Sequence, residues 1–118
     1  MSRDWTLYLA DIADAADKIC RFTQTISYDE FHQSETVFDA VLFNLQIIGE
    51  AAKRLPPHAT AMMDEIAWTD AARFRDFVAH HYFSIDPEIV WDIVKQQIPK
   101  VRTTARSLLE RLDGEQPT

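Results

Sequence analysis

Glycine is nearly absent from this sequence: only Gly49 and Gly114 occur. A phosphate-cradling P-loop needs two glycines around a Lys-Ser/Thr pair, and a dinucleotide-binding fingerprint needs three in a cluster. Neither nucleotide cradle can be built here. Cysteine is scarcer still. Cys20 stands alone, which excludes an intramolecular disulfide and a cysteine zinc knuckle. Its neighbours Ile19 and Phe22 predict a packed thiol. No apolar run has membrane-spanning length. Met1 to Trp5 lack a basic stretch leading into an apolar one, so no leader is expected and the cytoplasm is the expected compartment. Positive charge is in deficit too, with a net charge of −7 and a pI of about 4.9. That argues against non-specific duplex binding, which rests on many phosphate neutralisations. Neither DNA nor a membrane is an expected partner.

What is present is helical patterning over 118 residues, the length of one domain. Trp5, Tyr8, Ile12, Ala15, Ile19 and Phe22 step by three or four, the period of a helix starting near Asp4 and fading around Thr25. Ser27 and Glu30 read as a capping box, and Ser34 as a further cap. A second long helix is expected from Glu35 to Leu55, with Phe38, Val41, Leu42, Leu45, Ile48, Ala52 and Leu55 on its stripe. Gly49 inside it costs about 1 kcal/mol against alanine, which predicts close approach of another helix. Phe43 and Ile47 lie off the stripe and widen the apolar surface, as at a subunit interface. Pro56-Pro57 stops this helix.

A third helix is expected from Thr69 or Asp70 to between His80 and Phe83. Asp86-Pro87-Glu88 opens a fourth through cap, proline and acid. Pro99 kinks that helix or opens a fifth segment. Gly114 fits a terminal cap, leaving 115–118 as a frayed tail. No strand-like alternation competes. The expected fold is all-α, a four- to five-helix antiparallel bundle over residues 1–114.

Chemistry concentrates in Arg75 to Tyr82, which holds Arg75, Asp76, His80, His81 and Tyr82 within eight residues. A fixed cation beside a side chain that titrates near neutral pH suits phosphate chemistry. Asp76 and His80 are four apart, so they share a helix face and can touch. Arg75 and His80 are five apart and point about 140° away from each other. They converge if the helix unwinds near His80, or if a second copy brings its own pair to one cleft, which predicts a two-fold dimer. Two other readings stand beside this one. Arg75 could pair with a surface acid, with the histidines merely ending a helix. Alternatively Asp76 and His80 could supply two metal ligands, with His81, His58 or His32 as others.

Elsewhere the readings are structural. Trp5, Trp68 and Trp91 suit core or interface positions, and Met62-Met63 suits packing. Lys53-Arg54 complements a helix C-terminus and could add charge to a nucleic-acid cleft.

Three blocks in order carry a family resemblance: Asn44 to Leu55, the motif Arg75-x4-His80-x-Tyr82, and Tyr82 to Asp86 followed by Ile89 to Val94. They resemble the HepT-like proteins, a branch of the HEPN superfamily, over nearly the whole chain. The resemblance implies an all-α homodimer, encoded beside a minimal nucleotidyltransferase, MNT, as a toxin–antitoxin pair. It implies a metal-independent RNA endonuclease needing no cofactor. Arg75 and His80 would be catalytic and Asp76 and His81 supporting. Tyr82 would accept adenylyl groups from the antitoxin. The family commonly has asparagine at position 76, and the wider superfamily also allows aspartate.

Overall fold

The computed structural model describes residues 4–115 and is all-helical there, with no strand. Helix α1 spans Trp5–Thr23, α2 Tyr28–Gln33, α3 Glu35–Ala52 and α4 Pro57–Ala61. Helix α5 spans Trp68–His81 and runs into a single 3₁₀ turn, Tyr82–Ser84; α6 spans Pro87–Gln96 and α7 Ile98–Glu115. The bundle expectation holds for these residues.

Local signals place most helix starts. The Asp4 carboxylate accepts from the Thr6 amide. Ser27 and Glu30 exchange side-chain and backbone hydrogen bonds as a full capping box, and the Ser34 hydroxyl accepts from the Val37 amide. Asp86 caps α6 with Pro87 at its first position. Each such cap contributes about 1 kcal/mol by satisfying a donor the helix leaves open.

Helix α1 packs against both α3 and α7, and α3 packs also against α5. Leu9, Ile12, Ala16 and Ile19 of α1 are fully enclosed, with Val41, Leu42, Val90, Ala105 and Leu108 from the surrounding helices. Burying one such Leu, Ile or Val contributes about 1.5–3 kcal/mol. Phe31 of α2 is also enclosed, against the rings of Phe38 and Trp91.

Several ends differ from the sequence reading. Helix α3 stops at Ala52, because Arg54 and Leu55 bond to carbonyls three residues back and tighten the last turn ahead of the prolines. Pro57 then opens α4, so the proline pair starts a helix as well as ending one. Gly114 does not act as a cap: α7 passes through it to Glu115, and neither glycine adopts a positive φ. Of the expected frayed tail, 115–118, Glu115 is instead the last residue of α7, and 116–118 lie outside the described residues. On α1, Phe22 is exposed and Thr23 is buried instead, its hydroxyl donating to the Ile19 carbonyl at 2.8 Å. The buried arc there runs through Leu9, Ala16 and Thr23, seven residues apart. Cys20 is half-buried, and burial raises its thiol pKa, as a packed thiol requires.

Gly49 has the role its position predicts. A β-carbon there would lie 2.4 Å from Cβ of Arg75 and 2.7 Å from the Ala71 carbonyl oxygen. The backbones of α3 and α5 meet at this point, so the glycine sets where Arg75 stands.

Candidate functional site

Helix α5 starts at Trp68, whose indole N–H donates to the Met63 carbonyl at 3.1 Å. It runs antiparallel to α3, with Lys53, just past the end of α3, beside Asp76 and Asp39 of α3 beside Tyr82. This crossing brings Asp39 and Glu50 of α3, and Lys53 just past its end, onto the motif.

The charges alternate across it. Arg54 pairs with Glu50 at 3.2 Å, Glu50 with Arg75 at 3.5 Å, Arg75 with Asp76 at 3.3 Å, and Asp76 with Lys53 at 2.7 Å. The lysine hydrogen bond, chiefly, holds the Asp76 carboxyl below the usual carboxylate range, with Arg75 adding to it. The expected contact between the Asp76 carboxylate and His80 is therefore not the one formed. His80 instead turns Nδ1 to the Asp76 backbone carbonyl at 2.8 Å. A carbonyl only accepts, so Nδ1 carries the proton in that hydrogen bond. The neutral ring then presents a bare Nε2, and the cationic ring an Nε2–H.

His81 stacks on Phe77 with ring centroids 4.7 Å apart, and Phe77 in turn faces Phe74 at 6.4 Å. Tyr82 donates its hydroxyl to the Asp39 carboxylate. That bond, first of all, raises the Tyr82 pKa, and the charges of Asp39 and Glu35 add to it. Beside Tyr82, Phe83 is 99% exposed, and Phe43 on α3 is 63% exposed.

The structure thus brings together Arg75, Asp76 and, through its backbone, His80. It joins Tyr82 to them by way of α3. Helix α5 stays helical past His80, so Arg75 and His80 of one chain keep their separation of about 140° around the axis. His58 packs edge-on against Trp5, and His32 stacks on Tyr28. Neither approaches the motif through these contacts. Among the described residues no group of three or more His, Cys, Asp or Glu is arranged to hold a metal. An apolar cleft of about 290 Å³ between α3, α5, α6 and α7 is lined by Leu45, Ile48, Phe74 and Val101, and by none of Arg75, His80 or Tyr82. His80, His81 and Tyr82 are exposed and Arg75 is partly so, which puts the motif on an open face of the chain.

The sequence reading missed Asp39 and Glu50. Their signal was available: Asp39, Phe43, Gln46, Glu50 and Lys53 follow one another at three or four residues. Lys53 and Arg54, whose position suits a helix end or a nucleic-acid cleft, are both engaged by carboxylates. Trp68 is buried, while Trp5 and Trp91 are partly so. Met63 is enclosed, but its neighbour Met62 is exposed and does not pack as expected.

An all-helical bundle bearing an Arg-x4-His-x-Tyr motif on its third long helix is the class of protein that fold and site define. The sequence profile described as "Ribonuclease HepT-like" matches residues 12–108, and the chain belongs to that family, within the HEPN superfamily. It is 38% identical over 102 residues to "Probable ribonuclease HepT" of Thermococcus cleftensis, covering 86% of this chain and 93% of that one. It is 34% identical over 113 residues to "Putative RNase MJ0127" of Methanocaldococcus jannaschii, covering 96% and 93% respectively. A longer relative from the same organism, "Gamma-glutamylcyclotransferase and putative RNase MJ0434", aligns over 51% of its length at 34% identity. No solved structure matches the chain significantly. Among the described residues no helix is long and apolar enough to cross a membrane.

Proposed function

We propose that this protein is a metal-independent RNA endonuclease, the toxin of a type II toxin–antitoxin pair, and that it works as a homodimer. The observation that carries the chemistry is the hydrogen bond from His80 to the Asp76 carbonyl. With Nδ1 engaged in that bond, Nε2 is the nitrogen proposed to react. In the proposed reaction Nε2 of a neutral His80 takes the proton of an RNA 2′-hydroxyl. The 2′-oxygen attacks the adjacent phosphorus, and the bond to the 5′-oxygen breaks. The partner's His80, protonated at Nε2, gives its proton to that leaving oxygen. The products are a 2′,3′-cyclic phosphate and a 5′-hydroxyl. Arg75 stabilises the added charge on the pentavalent phosphate. Asp76 positions His80 through its carbonyl, and His81 supports the site from its stack on Phe77. Two copies are needed because one chain keeps Arg75 and His80 on different flanks of α5. The exposed Phe43 and Phe83 give the dimer apolar surface to bury.

The same reading makes Tyr82 the residue adenylylated by a nucleotidyltransferase antitoxin. Its oxygen attacks the α-phosphorus of ATP and pyrophosphate leaves, with Asp39 beside the hydroxyl to take the proton. The bulky anion then blocks the cleft by sterics and repulsion.

One observation favours a second reading. Arg75 already faces both Glu50 and Asp76, so its charge is partly spent before any phosphate arrives. That suits a weakly active or inactive regulatory subunit of a nucleotidyltransferase complex. An end-labelled RNA cleavage assay in EDTA decides between them, using protein free of adenylyl groups by mass and its His80→Ala variant. The nuclease reading expects cyclic-phosphate ends from the first and none from the second. Equal cleavage by both would refute His80 as catalyst, and no cleavage by either would favour the regulatory subunit.

A further inference from the structure

On the proposed catalytic face Arg54, Arg75 and Lys53 are paired with Glu50 and Asp76, and Asp39 adds further negative charge, which leaves Arg73, exposed seven residues before His80, as the cation with no carboxylate partner among the described residues. In a chain of net charge −7, that face attracts a polyanion poorly. The charge is not spread evenly along the sequence, however. Residues 93–109 hold Lys95, Lys100, Arg102 and Arg106 and no Asp or Glu. Most of that stretch is the first two-thirds of α7, which packs along α1.

There, three arginines converge on one carboxylate. Arg21 reaches Asp17 at 3.1 Å, Arg106 at 3.7 Å and Arg102 at 3.9 Å. All three guanidinium groups remain partly open to solvent. Asp17 and the nearby Glu110 offset two of the three, so the cluster keeps one excess positive charge that a further anion can pair with. Arg102, Thr103, Arg106 and Ser107 line one shallow groove with Asp17 and Glu110, and Arg21 joins it through its ion pair with Asp17. Lys95 is committed elsewhere, donating to the Thr23 carbonyl at 3.2 Å and lying over the Trp91 ring.

We propose that the α1–α7 groove is an anchoring site for the phosphodiester backbone of single-stranded RNA, separate from the Arg75–His80 face, with Arg21, Arg102 and Arg106 as its phosphate ligands. The guanidinium fork matches phosphate oxygens in pairs. Contacts of this kind hold and orient a strand without reading its bases. The identity of the polyanion rests on the ribonuclease reading; the presence of an anion site does not. The anchor answers a physical difficulty in that reading, since it gives RNA a point of attachment on a protein whose proposed catalytic face has little free positive charge.

The test is binding of a fluorescent 2′-O-methylated RNA 20-mer, which keeps the phosphates and lacks the attacking hydroxyl, followed by anisotropy across a salt series. For the double variant Arg102→Gln/Arg106→Gln, affinity should fall roughly tenfold at 0.1 M salt. The slope of log K against log salt should become shallower by about 1.4, the value for two lost contacts on a single strand. Asp17→Asn removes the competing carboxylate and should tighten binding, an effect that a misfolded protein would not give. Unchanged affinity and slope in the double variant would overturn the proposal, as would weaker binding in Asp17→Asn. A poly-glutamate peptide serves as second probe; loss of its binding alone would also overturn the proposal and assign the groove to an acidic polypeptide. EDTA cleavage of unmodified RNA, run in parallel, separates the two readings. Wild-type protein that binds through the arginines but cuts nothing would sink the nuclease reading and leave the anchor standing. Cleavage with RNA affinity that ignores the arginines would do the reverse.

Discussion

Replacing Gly49 by alanine puts a methyl group where α3 and α5 leave no room. The new carbon would meet Cβ of Arg75 at 2.4 Å and the Ala71 carbonyl oxygen at 2.7 Å, against about 3.5–4.0 Å for a relaxed carbon–carbon contact. Neither obstacle is the flexible end of a side chain. A Cβ moves only with its backbone, so α5 must shift by about 1 Å at Arg75 or the helices must part. Overpacking of this kind costs about 1–3 kcal/mol. Alanine returns about 1 kcal/mol through helix propensity. The net expectation is a loss of about 0–2 kcal/mol, a fall in Tm of at most about 8 °C for a domain of this size. On the proposed nuclease reading, in which Arg75 is catalytic, function should suffer more than stability, because a catalytic group misplaced by about 1 Å can lose on the order of 100-fold in rate.

Thermal melts followed by circular dichroism, with RNA cleavage in EDTA alongside, measure both. Gly114→Ala is the internal control: nothing lies within 4 Å of its added carbon, so it should hold or slightly raise Tm with cleavage unchanged. If Gly49→Ala raised Tm as the propensity gain alone would, and cleaved RNA normally, then the close approach of α3 and α5 does not position Arg75.

Two further expectations concern Tyr82 and the core. The Asp39 carboxylate raises the Tyr82 pKa above its ordinary value, so the stability from that hydrogen bond is full below about pH 10 and is lost as pH rises through the higher folded pKa. Asp39→Asn should bring tyrosinate formation back to lower pH, read at 295 nm by subtracting the titration of Tyr82→Phe. An unchanged curve would mean that Asp39 does not hold the hydroxyl in solution. Phe31→Ala removes an enclosed ring that packs on Phe38 and Trp91 and should cost about 3–5 kcal/mol. Urea unfolding measures it, and a loss under about 1 kcal/mol would show that α2 is not part of the cooperative core.

The motif shows how far local reading extends. The sequence places Asp76 and His80 one turn apart, and they do meet, yet through the Asp76 carbonyl rather than its carboxylate. Helical spacing says which residues share a face. It says nothing of a competitor such as Lys53, which comes from 23 positions earlier and takes the carboxylate. Gly49 was legible as a close approach because a glycine inside a helix carries a cost that packing must offset. Its partner was not legible, since the antiparallel register of α3 and α5 is a property of the assembled bundle.

By itself the sequence determined most of the helices, the N-terminal caps of α1, α2, α3 and α6 and most of the stripe of core residues, and it carried the motif that marks the family. These depend on neighbours within about four positions, where spacing and side-chain type decide the outcome. Tertiary structure alone decided which carboxylates face Arg75, that Tyr82 donates to Asp39 from 43 positions away, and that three arginines of α1 and α7 share Asp17. Those pairings follow from which helix faces meet and in what register, and packing of the whole bundle sets both.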